Sequence, residues 1–126
     1  MPFRMDKLTI KAQEAIVGAQ SLAASQGNPE IEGLHLLSSL LDDPAGVVVP
    51  LLKKIGTQLD RLQSSTASEI SRLPRMSGGR QPGISGTLQK AFEASATAAE
   101  SMKDEFVSTE HLLLGLCNAD KSTAEL

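Results

Sequence analysis

Cys117, His35, His111 and a scatter of serines are the side chains of this chain that could serve as nucleophiles or bases. A hydroxyl or thiol becomes a good nucleophile when a base stands against it and a third group orients that base. His35 and His111 instead hold the same place in two copies of one pattern, just inside a helix. A ring nitrogen bonded across the helix start is the role expected of both. Cys117 follows Leu116 on an apolar helical stretch, so a buried, unreactive thiol is expected there. One cysteine with two distant histidines is a poor zinc set, because a structural zinc site takes four ligands at suitable spacing. Gly78-Gly79 stands alone, without the Lys-Ser/Thr that completes a phosphate loop. These residues point away from catalysis, and neither a catalytic residue nor a metal ligand is assigned.

The elements that place the histidines come from a duplication. Gln13-Glu14-Ala15 answers to Gln89-Lys90-Ala91, and His35-Leu36-Leu37 to His111-Leu112-Leu113. Between these anchors Thr9 pairs with Ser85, Ile16 with Phe92, Ala23 with Ala99, Ile31 with Val107 and Leu40 with Leu116. Subtracting the first number of each pair from the second always gives 76, without a gap. Self-similarity at a fixed offset marks a repeated structural unit.

Each unit reads as helical. Leu8 to Ser25 carries Ala12, Ala15, Ile16, Ala19, Leu22 and Ala23 at helical spacing, with Thr9 placed to cap its start. Gln26-Gly27-Asn28-Pro29 is a stop, and Gly27 suits the residue just past the helix end. Ile31 leads into a second helix, Gly33 to Leu41, which is apolar on most sides and is expected to be buried. A third helix runs from Val47 to Ile55, with Pro50 in its first turn, and a fourth from about Thr57 to Arg72. Pro74 to Gly83 is a Gly- and Pro-rich linker. The pattern then restarts: Ser85 caps a helix from Gly86 to about Lys103, and Ser108 caps another reaching about Asn118. The expected fold is all-α, a pseudo-twofold duplicated helical repeat of two four-helix units. Residues 1–73 form the first unit, 74–83 the linker and 84–126 the second. The counterpart of Val47 is Thr123, so the second unit is expected to be cut short, leaving an apolar face near Leu126 incompletely covered.

Composition narrows the function classes. The 126 residues contain neither Trp nor Tyr and only Phe3, Phe92 and Phe106, so the core must be aliphatic. A net charge of −3 argues against a general nucleic-acid binder, which would show a concentrated basic face. Neither a long apolar run nor an N-terminal apolar signal segment is visible, and cytoplasmic is the default expectation. A repeat-built helical domain without catalytic groups commonly offers a surface to a peptide or partner helix. Differences between the units are then the guide, since shared positions are explained by folding. Leu34 becomes Glu110, Asn28 becomes Asp104 and Ile16 becomes Phe92, which places acidic groups near a larger apolar side chain in the second unit alone. The plainer reading keeps Glu110 as a favourable first-turn charge, Asp104 as a solvated turn residue and Phe92 as core.

Leu8-Thr9-Ile10-Lys11-Ala12-Gln13-Glu14-Ala15, Ile31-Glu32-Gly33-Leu34-His35-Leu36-Leu37 and Asp104-Glu105-Phe106-Val107-Ser108-Thr109-Glu110-His111-Leu112-Leu113-Leu114 closely resemble the duplicated Clp N-terminal domain. The segment Pro44 to Pro74 looks most like the ClpB type. The resemblance covers essentially the whole chain. It implies the mobile, non-catalytic N-terminal domain of a hexameric AAA+ disaggregase that works with a DnaK-type chaperone system and engages unfolded or aggregated polypeptides. ATP and magnesium would belong to ATPase domains outside this chain. By the same resemblance, Thr9, Asp104 and Glu110 match the polar residues tied to substrate handling. Phe92 and His111 match the apolar groove, His111 standing where the family more usually carries an aliphatic residue. The alternative within the family is an adaptor-docking N-domain of a ClpC- or ClpA-type unfoldase coupled to a protease.

Overall fold

Two helix starts, 76 residues apart, show how closely the units repeat. Thr9 is held extended and its hydroxyl accepts from the Ala12 amide at 3.1 Å. Ser85 does the same for Leu88 at 3.1 Å. Each hydroxyl satisfies one of the amides that an α-helix leaves without a partner in its first turn. The computed structural model describes residues 7–43, 46–76 and 82–119. Its elements run α1 (Ile10–Ser25), β1 (Glu30–Ile31), α2 (Gly33–Leu41), α3 (Val48–Lys54), α4 (Leu59–Ser71), β2 (Gly83–Ile84), α5 (Gly86–Ser101) and α6 (Thr109–Ala119). The expected third helix of the second unit, and any uncovered face near Leu126, lie outside the described residues, as do residues 77–81 of the expected linker.

The long helices end alike. Gly27 has φ 72°, its amide reaches Ala24 O at 3.1 Å, and the Asn28 amide reaches Ala23 O at 3.0 Å. This pair of bonds is the Schellman closure. In the second unit Lys103 takes the place of Gly27, with φ 60°, and the Asp104 amide reaches Ala99 O at 2.8 Å. A left-handed lysine crowds its Cβ against the backbone, a strain that glycine avoids. Gly56, φ 90°, closes α3 in the same way, the Thr57 amide donating to Leu52 O at 3.0 Å. Thr57 therefore ends one helix and does not begin the next, and α4 starts at Leu59.

The units are joined by a feature that the helical reading leaves out. β1 and β2 pair in parallel, Glu30 with Gly83 and Ile31 with Ile84. Leu8 and Val107 form a second parallel bridge. Leu8 is the counterpart of Ile84, and Ile31 of Val107. The segment before the first helix of each unit thus pairs with the segment before the second helix of the other. The Thr9 amide donates to Val107 O at 3.0 Å and, at the equivalent place, the Ser85 amide to Ile31 O at 3.1 Å. Leu8 is engaged in this seam, so α1 begins at Ile10 and not at Leu8. Gly83, expected in the linker, is a strand residue. Pairings of one or two residues are too short to produce the alternation that marks a strand in a sequence.

The core is aliphatic, as the composition requires. Leu36, Leu88, Leu112 and Leu116 are its largest fully buried apolar side chains, joined by Ala12, Ala15, Ala19 and Ala23 along α1. α2 buries seven of its nine residues and sits centrally. The alanine stripe lets helices approach closely. At Gly115 the approach is closest, since a Cβ there would overlap the Ala91 carbonyl oxygen and the Ser95 hydroxyl.

Candidate functional site

The two histidines are staples across helix starts, as expected. The Glu32 amide donates to His35 Nδ1 at 2.8 Å, and His35 Nε2 lies 2.8 Å from Asn28 Oδ1. Nδ1 accepts, so the neutral ring carries its proton on Nε2 and donates it to Asn28. Asn28 in turn donates to Pro74 O at 2.9 Å, tying the end of α1 to the end of α4. Burial pushes the His35 pKa below its usual 6.5, because a charged ring would lose solvation.

In the second unit the Ser108 amide donates to His111 Nδ1 at 2.9 Å, and His111 Nε2 meets Asp104 Oδ2 at 2.9 Å. Ser108 precedes α6, but its hydroxyl does not accept from the backbone as a cap would. It bonds the Glu110 carboxylate and lies 2.9 Å from His111 Nδ1. The exchange of Asn28 for Asp104 changes what reaches the surface. Asn28 is 3% exposed, whereas the Asp104 side chain is 47% exposed with the His111 ring at 4% behind it. One geometry hides an amide in the first unit and presents a carboxylate in the second.

Four of the five residues singled out from the sequence meet here. Thr9 is bonded through its amide to Val107, Ser108 follows, and Ser108, Glu110, His111 and Asp104 form one hydrogen-bonded group. Phe92 does not share the solvent-facing role expected of it. It is 2% exposed and belongs to the aliphatic core. His111 is likewise buried, so at this seam the groups that face solvent are Asp104 and, in part, Thr9 and Glu110.

Exposed apolar side chains that the sequence analysis did not single out stand near these residues in the chain. Ile10, beside Thr9, is 75% exposed, Phe106, beside Val107, 45%, and Met102 and Leu114 are 57% and 42%. A signal was present in the repeat. Their counterparts at an offset of 76 are Gly86, Glu30, Gln26 and Ser38, none of them large and apolar. The equivalent seam exposes Ile84, at 42%, and Met76, whose amide donates to Gly27 O at 2.7 Å, is 57% exposed near the end of α1.

Other expectations fare differently. Cys117 is exposed, not buried; it lies near the outer end of α6, past the apolar turn that carries Leu112 and Leu116. A cleft of about 230 Å³ between α1 and the start of α3 is crossed by the Lys11–Asp43 ion pair at 3.3 Å and contains none of the five residues. Among the described residues no three His, Cys, Asp or Glu side chains gather to hold a metal ion. No helix there is long and apolar enough to cross a membrane.

Comparison with known proteins agrees with this architecture. The family model described as the Clp repeat (R) N-terminal domain matches residues 7–126. The chaperone protein ClpB of Rhodopirellula baltica is 49% identical over 126 residues, all of this chain and 14% of that protein. The chain therefore spans a small part of the relatives it matches. Among solved structures, the Hsp104 N-terminal domain from Candida albicans superimposes with a TM-score of 0.86 at 20% identity, covering 94% of this chain and 78% of that one. The complex of the ClpV N-domain with a VipB peptide gives 0.78 at 23% identity, over 90% of this chain and 69% of that one. With a repeat that folds as a reciprocal pair and a family model that matches nearly its full length, the chain belongs to the Clp repeat N-terminal domain family.

Proposed function

We propose that this domain is the substrate-engaging N-terminal module of an ATP-driven protein disaggregase, and that it binds unfolded or aggregated polypeptide weakly at the Leu8–Val107 seam. The observation that carries the reading is the asymmetry between the two seams. Where the repeat has Gly86, Glu30 and Asn28, this seam has the exposed Ile10, Phe106 and Asp104, and the helices of the second unit expose Met102 and Leu114 in place of Gln26 and Ser38. The fold works with either set, so the exposed apolar and acidic groups answer to something outside the fold. Apolar side chains meet those of a misfolded chain, and Asp104, with Glu110 beside it, favours basic stretches. A shallow surface with few direct contacts gives loose and promiscuous binding, which permits release. Similarity to ClpB supports the disaggregase parent, and the ClpV N-domain neighbour was solved with a peptide. The hexameric ATPase ring with its ATP and magnesium, the DnaK-type partner and a cytoplasmic setting are parts of this proposal for the whole protein.

The test is a fluorescence-anisotropy titration of a labelled, permanently unfolded polypeptide. Phe106→Ser is expected to weaken binding about five-fold, the equivalent of ~1 kcal/mol. Asp104→Asn with Glu110→Gln is expected to weaken it a further few-fold at low salt and little at high salt, as for exposed charges. The Asn change keeps the His111 bond, as Asn28 does for His35. Binding unaltered in both variants overturns the site. No binding of any unfolded chain, with retained binding of a folded adaptor, transfers the role to the adaptor-docking alternative.

A further inference from the structure

The cleft between α1, the end of α2 and the starts of α3 and α6 is lined by groups that the fold does not use. Thr109, the first residue of α6, is one of them. It is 7% exposed, and its hydroxyl has no hydrogen-bond partner among the described residues. A buried hydroxyl has given up its bonds to water, so folded proteins leave few of them unmatched. The repeat shows that the helix start does not need this one. The counterpart of Thr109 is Gly33, which begins α2 without a side chain.

The charges beside it are likewise confined to one unit. Glu14, Asp42 and Asp43 line the cleft, where the second unit has Lys90, Asn118 and Ala119. Against these carboxylates the described lining sets one cation, Lys11. It lies 3.3 Å from Asp43 and 3.9 Å from Glu14. Asp42, on the rim shared with the neighbouring cleft that contains Lys53, has no ion-pair partner among the described residues. Ala15, Leu40 and Val48 are buried and form an apolar wall. At about 230 Å³ the cleft is smaller than the roughly 300–1,000 Å³ pockets that enclose a drug-sized ligand. An acidic rim, an apolar wall and a small volume suit one long basic side chain. Its stem lies along apolar surface while its head meets the carboxylates. Lys11 shows that an ammonium can rest between Asp43 and Glu14.

We propose that the cleft takes one lysine side chain of the polypeptide bound at the Leu8–Val107 seam, an inference that rests on the seam being the binding surface. Seam and cleft adjoin. Ile10 and Glu14, four apart, stack on one face of α1, and Thr109 follows Ser108 in the chain. The incoming ammonium meets Glu14 and Asp42 and donates to the Thr109 hydroxyl oxygen. Lys11, with its side chain 52% exposed, turns out to solvent to make room.

Two labelled, unstructured peptides are titrated into the full 126-residue chain and followed by fluorescence anisotropy. Both carry the same leucines, phenylalanines and serines, with a single lysine in one and acetyllysine in its place in the other. The lysine peptide is expected to bind about three- to five-fold tighter at low salt, and it alone to shift the Gly46 and Thr109 amide resonances. Glu14→Gln with Asp42→Asn is expected to abolish the preference, and Lys11→Gln, which removes the competing ammonium, to enlarge it. Thr109→Val is expected to lessen the preference while raising the urea midpoint, since the hydroxyl it removes is unmatched in the fold. A lowered midpoint would mean that the fold uses the hydroxyl and would count against the proposal. Equal binding of both peptides, still weakened by Phe106→Ser, overturns the cleft and leaves the seam standing. A lysine preference that survives Glu14→Gln/Asp42→Asn and is lost in Asp104→Asn/Glu110→Gln places the lysine at the seam and also overturns the cleft. Binding of neither peptide overturns both.

Discussion

His35 and His111 show how one residue type serves one structural purpose in two electrostatic settings. Both accept a backbone amide at Nδ1, but the Nε2 of His35 faces the buried side-chain oxygen of Asn28 and that of His111 the exposed carboxylate of Asp104. The folded state holds His35 below its usual pKa of 6.5, whereas the unfolded chain does not. The unfolded state thus binds more protons as the pH falls through that range, and stability must fall with it. Denaturant midpoints measured from neutral to mildly acidic pH are expected to decline, and His35→Gln is expected to flatten that decline while lowering stability throughout. An equal slope in the variant would remove His35 as the cause. Phe92 is the other residue whose role turns on its surroundings. Its resemblance to a groove position implies contact with substrate, but its side chain is 2% exposed. Phe92→Ala is accordingly expected to cost ~3–5 kcal/mol of stability, read from urea unfolding. A cost under about 1 kcal/mol would mean that the ring does not fill the core.

At the scale of elements, what the sequence makes legible is what local chemistry decides. The apolar run from Leu34 to Leu41, bounded by Gly33 and Asp42-Asp43, gives α2 its observed limits, and Thr9 and Ser85 cap where their hydroxyls were expected to. The seams were not legible, because Leu8, Ile31, Ile84 and Val107 gain their partners from residues far away in the chain. Ser108 eluded the capping rule for a similar reason: its hydroxyl is claimed by Glu110 and His111. The repeat also exposes a flaw in the second unit. Gly27 closes α1 without strain, and Lys103 closes α5 at φ 60°. Lys103→Gly is expected to stabilise the domain by about 1 kcal/mol in chemical denaturation, relieving the left-handed conformation. Gly27→Lys is expected to destabilise it by a similar amount. No gain from Lys103→Gly would mean that the turn tolerates its side chain.

For the molecule as a whole, duplication supplies a frame in which function can be sought as broken symmetry. Two seams follow from one repeat, and the side chains at one of them differ from their counterparts, apolar at Ile10 and Phe106 and acidic at Asp104, with Met102 and Leu114 exposed on the helices of the same unit. Sequence comparison of the units already showed Asp104 and Glu110. It missed Phe106 and Ile10 because their exposure depends on the strand pairing that brings Thr9 against Val107. The most direct measurement is an amide NMR titration of the domain with a permanently unfolded polypeptide, for the wild type and for Asp104→Asn/Glu110→Gln/Phe106→Ser. Shifts gathered around Ile10, Asp104 to Glu110 and Leu114, and lost in a variant whose remaining spectrum is unchanged, are the predicted result. Shifts gathered at the opposite seam around Glu30 and Ile84, or unaltered by the three substitutions, would contradict it.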